Sequence, residues 1–146
     1  MDAKTIEELI FFGIEIVFYI LFVIAEWRIL TKAGEKGYKA LIPFYNIYIS
    51  HKIVGMSHIW FIVEMILWVG EVVDIFVRFN KAFDIAFLIV TLVFTMTSAA
   101  VHVLKICKCF GKGTAFKIGM LLLPDLFMLI IAFGKSTYTK PEKGRI

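Results

Sequence analysis

Four stretches of this chain, residues 9–27, 59–77, 83–104 and 116–133, run almost unbroken through Leu, Ile, Val, Phe and Ala. The hydrocarbon core of a bilayer is about 30 Å thick, and a helix rising about 1.5 Å per residue needs about 20 residues to cross it. Each run is close to that length. Spanning strands would instead alternate polar and apolar residues over segments of about ten, so continuous runs point to a helical bundle rather than a barrel. Composition agrees, since 60% of the 146 residues are hydrophobic and 19% are charged, far from the balance of a soluble domain. The sequence therefore predicts an all-α, polytopic membrane protein. About four transmembrane helices would form one domain over residues 1–138, followed by a basic tail over 139–146.

The first run does not read as a cleaved leader, because "MDAKTIEEL" is acidic and no small-residue cleavage site precedes Arg28. Lys and Arg number one before the first run, five between the first and second, two between the second and third, four in the third connection and four in the tail. The connections over 28–58 and 105–117 thus carry nine against seven elsewhere, which places them in the cytoplasm. Asp2, Glu7 and Glu8 before the first run, with Arg28, Lys32 and Lys36 after it, agree. The expected localisation is the cell membrane, multi-pass, with the N-terminus and C-terminus both outside, although the basic tail "KSTYTKPEKGRI" argues the other way. Loops beside an anionic membrane surface account for the net charge of +4 more simply than nucleic acid does.

One long polar interruption, "KAGEKGYKALIPFYNIY", follows the first run. Gly34 and Gly37 can take the left-handed conformations that stop a helix and turn the chain, and Pro43 can open a new helix in its first turn. The next segment, "PFYNIYISHKIVG", is too short to span. Its Tyr45, Tyr48 and Lys52, at helical spacing, suit the headgroup level of a membrane. A short interfacial or re-entrant helix is expected over about residues 39–55.

This stretch, together with "CFGKGTAFKIGMLLLPDLFMLIIAFGKSTY", resembles a family of small prokaryotic integral membrane proteins, the domain of unknown function DUF5684. Its pattern is K-A-G-x-x-G-W/Y-x-x-L-I-P-x-Y-N in the first half, then F-G-K-x-T/S, G-L-x-x-L-P and F-G-x-x-x-Y. Lys32, Ala33, Gly34, Gly37, Tyr38, Pro43, Tyr45 and Asn46 match the first part; Phe110, Gly111, Lys112, Gly119, Pro124, Phe133, Gly134 and Tyr138 match the rest. The resemblance implies a compact polytopic bundle and brings no established activity. Some members carry a signal peptidase I label, which needs a serine held against a lysine base. Ser50 and Lys52 are two residues apart and so point to different faces of a helix. The centre, "IWFIVEMILWVGEVVDIFVRFNKAFD", departs from the family's apolar pattern by three carboxylates inside a span, Glu64, Glu71 and Asp74.

Those carboxylates are not scattered. Glu64, Glu71, Asp74 and Arg78 fall within about 80° of helical arc, and Glu8, Glu15 and Glu26 within about 20°. Thr91, Thr95, Ser98, His102 and Lys105 share one face of the third run. An ionised acid near the bilayer midplane costs roughly 2.5 to 3.5 kcal/mol on insertion scales, so the three polar seams are expected to face one another. They serve either as structural polar contacts, with Glu8, Glu26 and Arg78 at the interfaces and His102 and Lys105 paired to an acid, or as a pathway. In the second case Glu15, Glu64, Glu71, Asp74 and His102 bind or relay cations or protons. In the fourth run Pro124 removes the partner of the Met120 carbonyl and predicts a kink. Beside it Asp125 lies deep in the segment, where a free carbonyl and a carboxylate together could hold a cation.

Other motifs carry less. Cys107 and Cys109 supply too few ligands for a tetrahedral metal site, and His51, His58 and His102 show no ligand spacing, so no metal and no cofactor is expected. "GKST" at residues 134–137 lacks the first glycine of a phosphate loop, since Leu129 stands there. The sequence thus suggests a non-enzymatic transporter or channel-like protein moving cations or protons along an acidic seam. The alternative is a non-catalytic accessory or assembly subunit. The partners implied are the lipid bilayer and either a second copy of the chain or another membrane protein, with no nucleic acid.

Overall fold

The structure, a computed structural model, describes residues 2–77 and 80–141, and among these it is helix and turn with no strand. Helix α1 (Ala3–Lys32) has 30 residues, a length of about 45 Å. A 3-10 turn (Gly37–Leu41) and α2 (Tyr45–Ile53) follow, then α3 (His58–Val77), α4 (Lys81–Cys109), α5 (Thr114–Leu122) and α6 (Pro124–Phe133). Helices α1 and α4 are long and apolar enough to cross a membrane. Neither is the buried core helix of a soluble protein. Phe11, Phe12 and Tyr19 of α1 and Leu88, Val93 and Met96 of α4 are all more than half exposed, an apolar surface of the kind that marks a membrane or protein contact. Helix α3 has 20 residues and none of them is buried.

Helix ends explain much of the polar interruption. Gly34, at φ +81°, terminates α1 in a Schellman motif, with Glu35 N–H donating to Leu30 O at 2.9 Å and Gly34 N–H to Thr31 O at 3.1 Å. Gly55 and Gly111 close α2 and α4 in the same way. Gly37 does not take a positive φ, contrary to expectation; the Trp27 indole occupies the space a Cβ would need. Pro43 does not open α2 either. Phe44, at φ 63° and ψ −39°, stands between them as the centre of a γ-turn in which Tyr45 N–H donates to Pro43 O at 2.7 Å. Helix α2 is less superficial than its tyrosines imply: Tyr45 and Lys52 are exposed, but Ile49, Ser50, His51 and Ile53 are buried.

The fourth apolar run is not one kinked helix. Leu123 (φ −135°, ψ 68°) separates α5 from α6, and Pro124 opens α6 at its first turn, where a missing N–H leaves nothing unsatisfied. The chain then doubles back. The Phe116 and Phe127 rings meet edge to face at 4.8 Å, although eleven residues of continuous helix would separate them by about 16 Å. Gly119 makes room for the Phe127 ring. At 9 and 10 residues, each arm of this hairpin reaches about half the depth of a bilayer core.

Consequently the ends of α1, α2, α4 and α6 gather at one end of the bundle, called here the near end. Lys32 Nζ donates to Ile131 O and Gly134 O at 2.6 and 2.7 Å, Tyr138 OH to Ile53 O at 2.5 Å, and Thr139 N–H to Cys109 O at 2.8 Å. The start of α1 lies at the far end, about 45 Å away. The two ends of the described chain are therefore at opposite ends of the bundle, not the same one. The core also sits at the near end, built on Ile29, Leu30, Ile49, Ile106, Met120 and Ile131. Cys107 and Cys109 are free thiols buried within it.

Candidate functional site

Helices α3 and α4 run antiparallel, and the register of their contacts brings their polar seams together. Asn80 caps α4 by accepting from Phe83 N–H at 2.9 Å, which fixes where that helix starts. Trp60 then meets Phe94 with ring centroids 5.4 Å apart, and one turn on Ser98 donates its hydroxyl to Glu64 Oε1. Ser98 is fully buried and Glu64 partly so, with 18% of its side chain exposed. A carboxylate at this depth needs donors, and the serine supplies one.

Helix α2 supplies the rest. His51 Nε2 lies 3.8 Å from Glu64 Oε2, a charge contact too long for a hydrogen bond. The His51 and His102 rings are 5.7 Å apart, and His102 Nε2 shares a 3.0 Å hydrogen bond with Ser50 Oγ. From α1, Glu26, only 5% exposed, reaches the same Ser50 hydroxyl. Four helices thus converge on Glu26, Ser50, His51, Glu64, Ser98 and His102. Burial holds the His51 imidazole below its ordinary pKa, with the Glu64 charge acting in the opposite sense. The His51 Nδ1 and Thr91 Oγ1 atoms are buried without a protein partner, positions at which water satisfies polar groups in dense interiors. Groups of this kind accept and pass protons.

Of the acids expected in the seam, the structure brings Glu64 to this cluster, joined by His102. Asp74 faces Asp84 across the start of α4, with one oxygen of each buried and unpaired. Glu71 is half-buried between these two sites. Glu8 and Glu15 are exposed on α1, away from the seam, so the α1 stripe joins only through Glu26. Asp125 is exposed in the first turn of α6, beside Phe18, Leu21 and Phe22. There it complements the helix dipole and stands apart from the other acids. Arg78 lies outside the described residues. Lys105 donates to Gly55 O at 3.2 Å rather than pairing with an acid.

Ser50 and His51 are the members that the sequence does not single out for this site, because Tyr45, Tyr48 and Lys52 at helical spacing point to a surface helix. The signal was present: Ile49, Ser50 and Ile53 share one helical face, the one that proves buried. The remaining motif residues are scaffold. Lys32 ties α1 to α6, Glu35 bridges Lys39 and Lys52 at 2.5 and 2.9 Å, and Asn46 Oδ1 accepts from Ile47 N–H at 2.8 Å.

The chain matches the family described as "Family of unknown function (DUF5684)" over residues 38–141. That span holds every member of the polar cluster except Glu26. No curated protein and no solved structure matches the chain.

Proposed function

The chain belongs to DUF5684, a family of unknown function, and because membership brings no activity we propose from the site's geometry that this is a small multi-pass membrane protein carrying protons along the α3–α4 seam. The observation that carries the proposal is the largely buried chain of contacts Ser98 to Glu64 to His51 to His102 to Ser50 to Glu26. Contacts that merely hold helices together need only hydroxyls and amides. Two imidazoles and two carboxylates are an expensive way to do that, and inside a membrane such groups mark ion or proton pathways. On the far side of Glu64 the path continues through Glu71 and Thr91 to the Asp74–Asp84 pair. Glu71 stands seven residues, about 10 Å, from Glu64, a gap for intervening water.

In this proposal α1, α3 and α4 cross the cell membrane and the α5–α6 hairpin enters to half depth. Among the described residues, eleven Lys and Arg lie at the near end, against Lys4 and Lys81 at the far end, an asymmetry that supports a cytoplasmic near end. The N-terminus is then outside and residues 134–141 inside, and the basic tail no longer conflicts with the other charges. Ser50 and His102 also stand at the distance of a nucleophile and its base. Ser50 is 8% exposed and its hydroxyl is engaged by Glu26 as well, which favours a relay over attack on a substrate.

Reconstituted vesicles with an imposed potential and an internal pH dye test this. The parent should acidify the lumen faster than empty vesicles, and Glu64→Gln should remove at least about nine-tenths of the difference while keeping the parent's melting behaviour, because a neutral amide keeps shape without the desolvation penalty of a carboxylate. A parent indistinguishable from empty vesicles over a range of pH would sink the proposal. One observation favours an accessory or assembly role instead: Glu15 is an exposed acid on an apolar face, where a donor from another membrane helix would relieve it. Under that reading a membrane partner co-purifies with the parent and is lost from Glu15→Leu.

A further inference from the structure

Three cations gather around the near end of α1. Arg28 lays its guanidinium over the Phe133 ring at 4.4 Å, Lys32 is held by the carbonyls that end α6, and the Lys112 ammonium stands 4.9 Å from the centre of the Phe116 ring. The charges of Arg28 and Lys112 both act on the Lys32 ammonium. Among the described residues none of the three makes an ion pair with a carboxylate. Glu35 is taken by Lys39 and Lys52, and Glu26 turns inward to Ser50. Like charges fixed together in this way raise the local affinity for an anion.

An apolar cleft of about 480 Å³ starts at Arg28 and runs between α1 and the 3-10 turn, with Tyr19, Ile20, Ile24, Trp27 and Leu41 on its walls. From residue 19 to residue 28 the helix rises about 13 Å, close to one leaflet's share of a core about 30 Å thick. Trp27 lies beside Arg28 at the level where aromatic rings meet headgroups. Cleft and cations are continuous through Arg28. A free phosphate would answer the charges and leave the cleft uncovered; an amphiphile answers both.

We infer that this surface holds one anionic phospholipid, with an acyl chain along α1 from Tyr19 to Trp27 and the phosphate on Arg28 and Lys112. The inference is independent of the proton pathway, which meets α1 through Glu26, a residue that does not line the cleft.

Native mass spectrometry of the full chain, released from micelles doped equally with phosphatidylglycerol and phosphatidylcholine of identical chains, reads it directly. The parent should retain phosphatidylglycerol about tenfold more than phosphatidylcholine, and Arg28→Gln with Lys112→Gln should bring the ratio close to one, since each such cation contributes several-fold. These changes leave the Lys32 contacts in place. Ile24→Trp, which fills the cleft and touches no cation, should lower retention of both lipids, so the cleft is read separately even if the charge variant loses its fold. Soluble glycerol phosphate should not compete. Equal retention of the two lipids by the parent, an unchanged ratio in the charge variant, undiminished retention in Ile24→Trp, or displacement by glycerol phosphate would each overturn the assignment.

Discussion

Along α1, Val23, Ala25, Glu26, Ile29 and Leu30 are buried, whereas every side chain over residues 4–22 is exposed. Helix α4 repeats the contrast, burying Ser98, Val103, Ile106, Cys107 and Cys109 in its second half and only Thr91 in its first. Polar groups divide the same way. Near-end Glu26, His51, Glu64 and His102 all have protein partners, while at the far end Asp74 faces a second acid, Asp84. The near half is thus a folded unit held by its own contacts. The far half has few buried side chains of its own, and its helices are positioned mainly by being anchored in the near half. Apolar content does not distinguish the halves; backbone turns and small residues do, because they let helices approach closely enough to exclude lipid.

Glycine replacements should break this contrast most visibly. Gly119→Leu drives a side chain into the Phe127 ring that closes the hairpin, and a loss of about 3 kcal/mol is expected from overpacking, seen as a large drop in melting temperature in detergent. Gly13→Leu, at a position with no neighbour within 4 Å, should change stability by less than about 0.5 kcal/mol. Similar losses from both would mean the far half is packed after all.

Acidification should act on the near half next. The pKa of His51 is lowered by burial from its ordinary 6.5, against the effect of Glu64. The folded state therefore prefers the neutral imidazole, and its contribution is complete above pH 6.5 and lost as pH falls below that value. Thermal melts should show this decline in the parent and a weaker one in His51→Gln; identical pH profiles would show that His51 is not the group involved. Glu35, whose pKa is lowered chiefly by its bonds to Lys39 and then Lys52, contributes stability that disappears only as pH falls below its ordinary 4.5, so the two steps are separable. The smallest effect is expected from Glu35→Gln, since exposed ion pairs contribute little. Its melting temperature should stay within about 2 °C of the parent, and a larger drop would make the Lys39–Glu35–Lys52 bridge a principal anchor of α2.

Much of this was legible in the residues. Continuous apolar runs gave the all-helical class, and helical spacing correctly placed Glu64 opposite the Ser98 and His102 face. Gly34 was recognisable as a helix stop. Gly37 was assigned the wrong cause, because a glycine needed for close approach of Trp27 looks the same in sequence as one needed for a positive φ. The hairpin was illegible for a similar reason. Pro124 signals only that helix α5 cannot simply continue, and whether the chain kinks or reverses depends on Gly119 admitting the Phe127 ring, a contact between residues eight apart. From that one misjudged turn followed the expectation that both termini share a side.

The reversal at Leu123 brings residues 134–141 back to the packed end, opposite the start of α1, so sidedness tests the whole account most directly. In a background with Cys107 and Cys109 replaced by Ala, single cysteines at Thr5, Ser57 and Ser136 can be probed with an impermeant thiol reagent in intact cells and again after permeabilisation. Thr5→Cys should be labelled in intact cells, and Ser57→Cys and Ser136→Cys only after permeabilisation. If Thr5→Cys and Ser136→Cys instead behave alike, the fourth apolar run crosses the membrane and the half-depth hairpin is wrong.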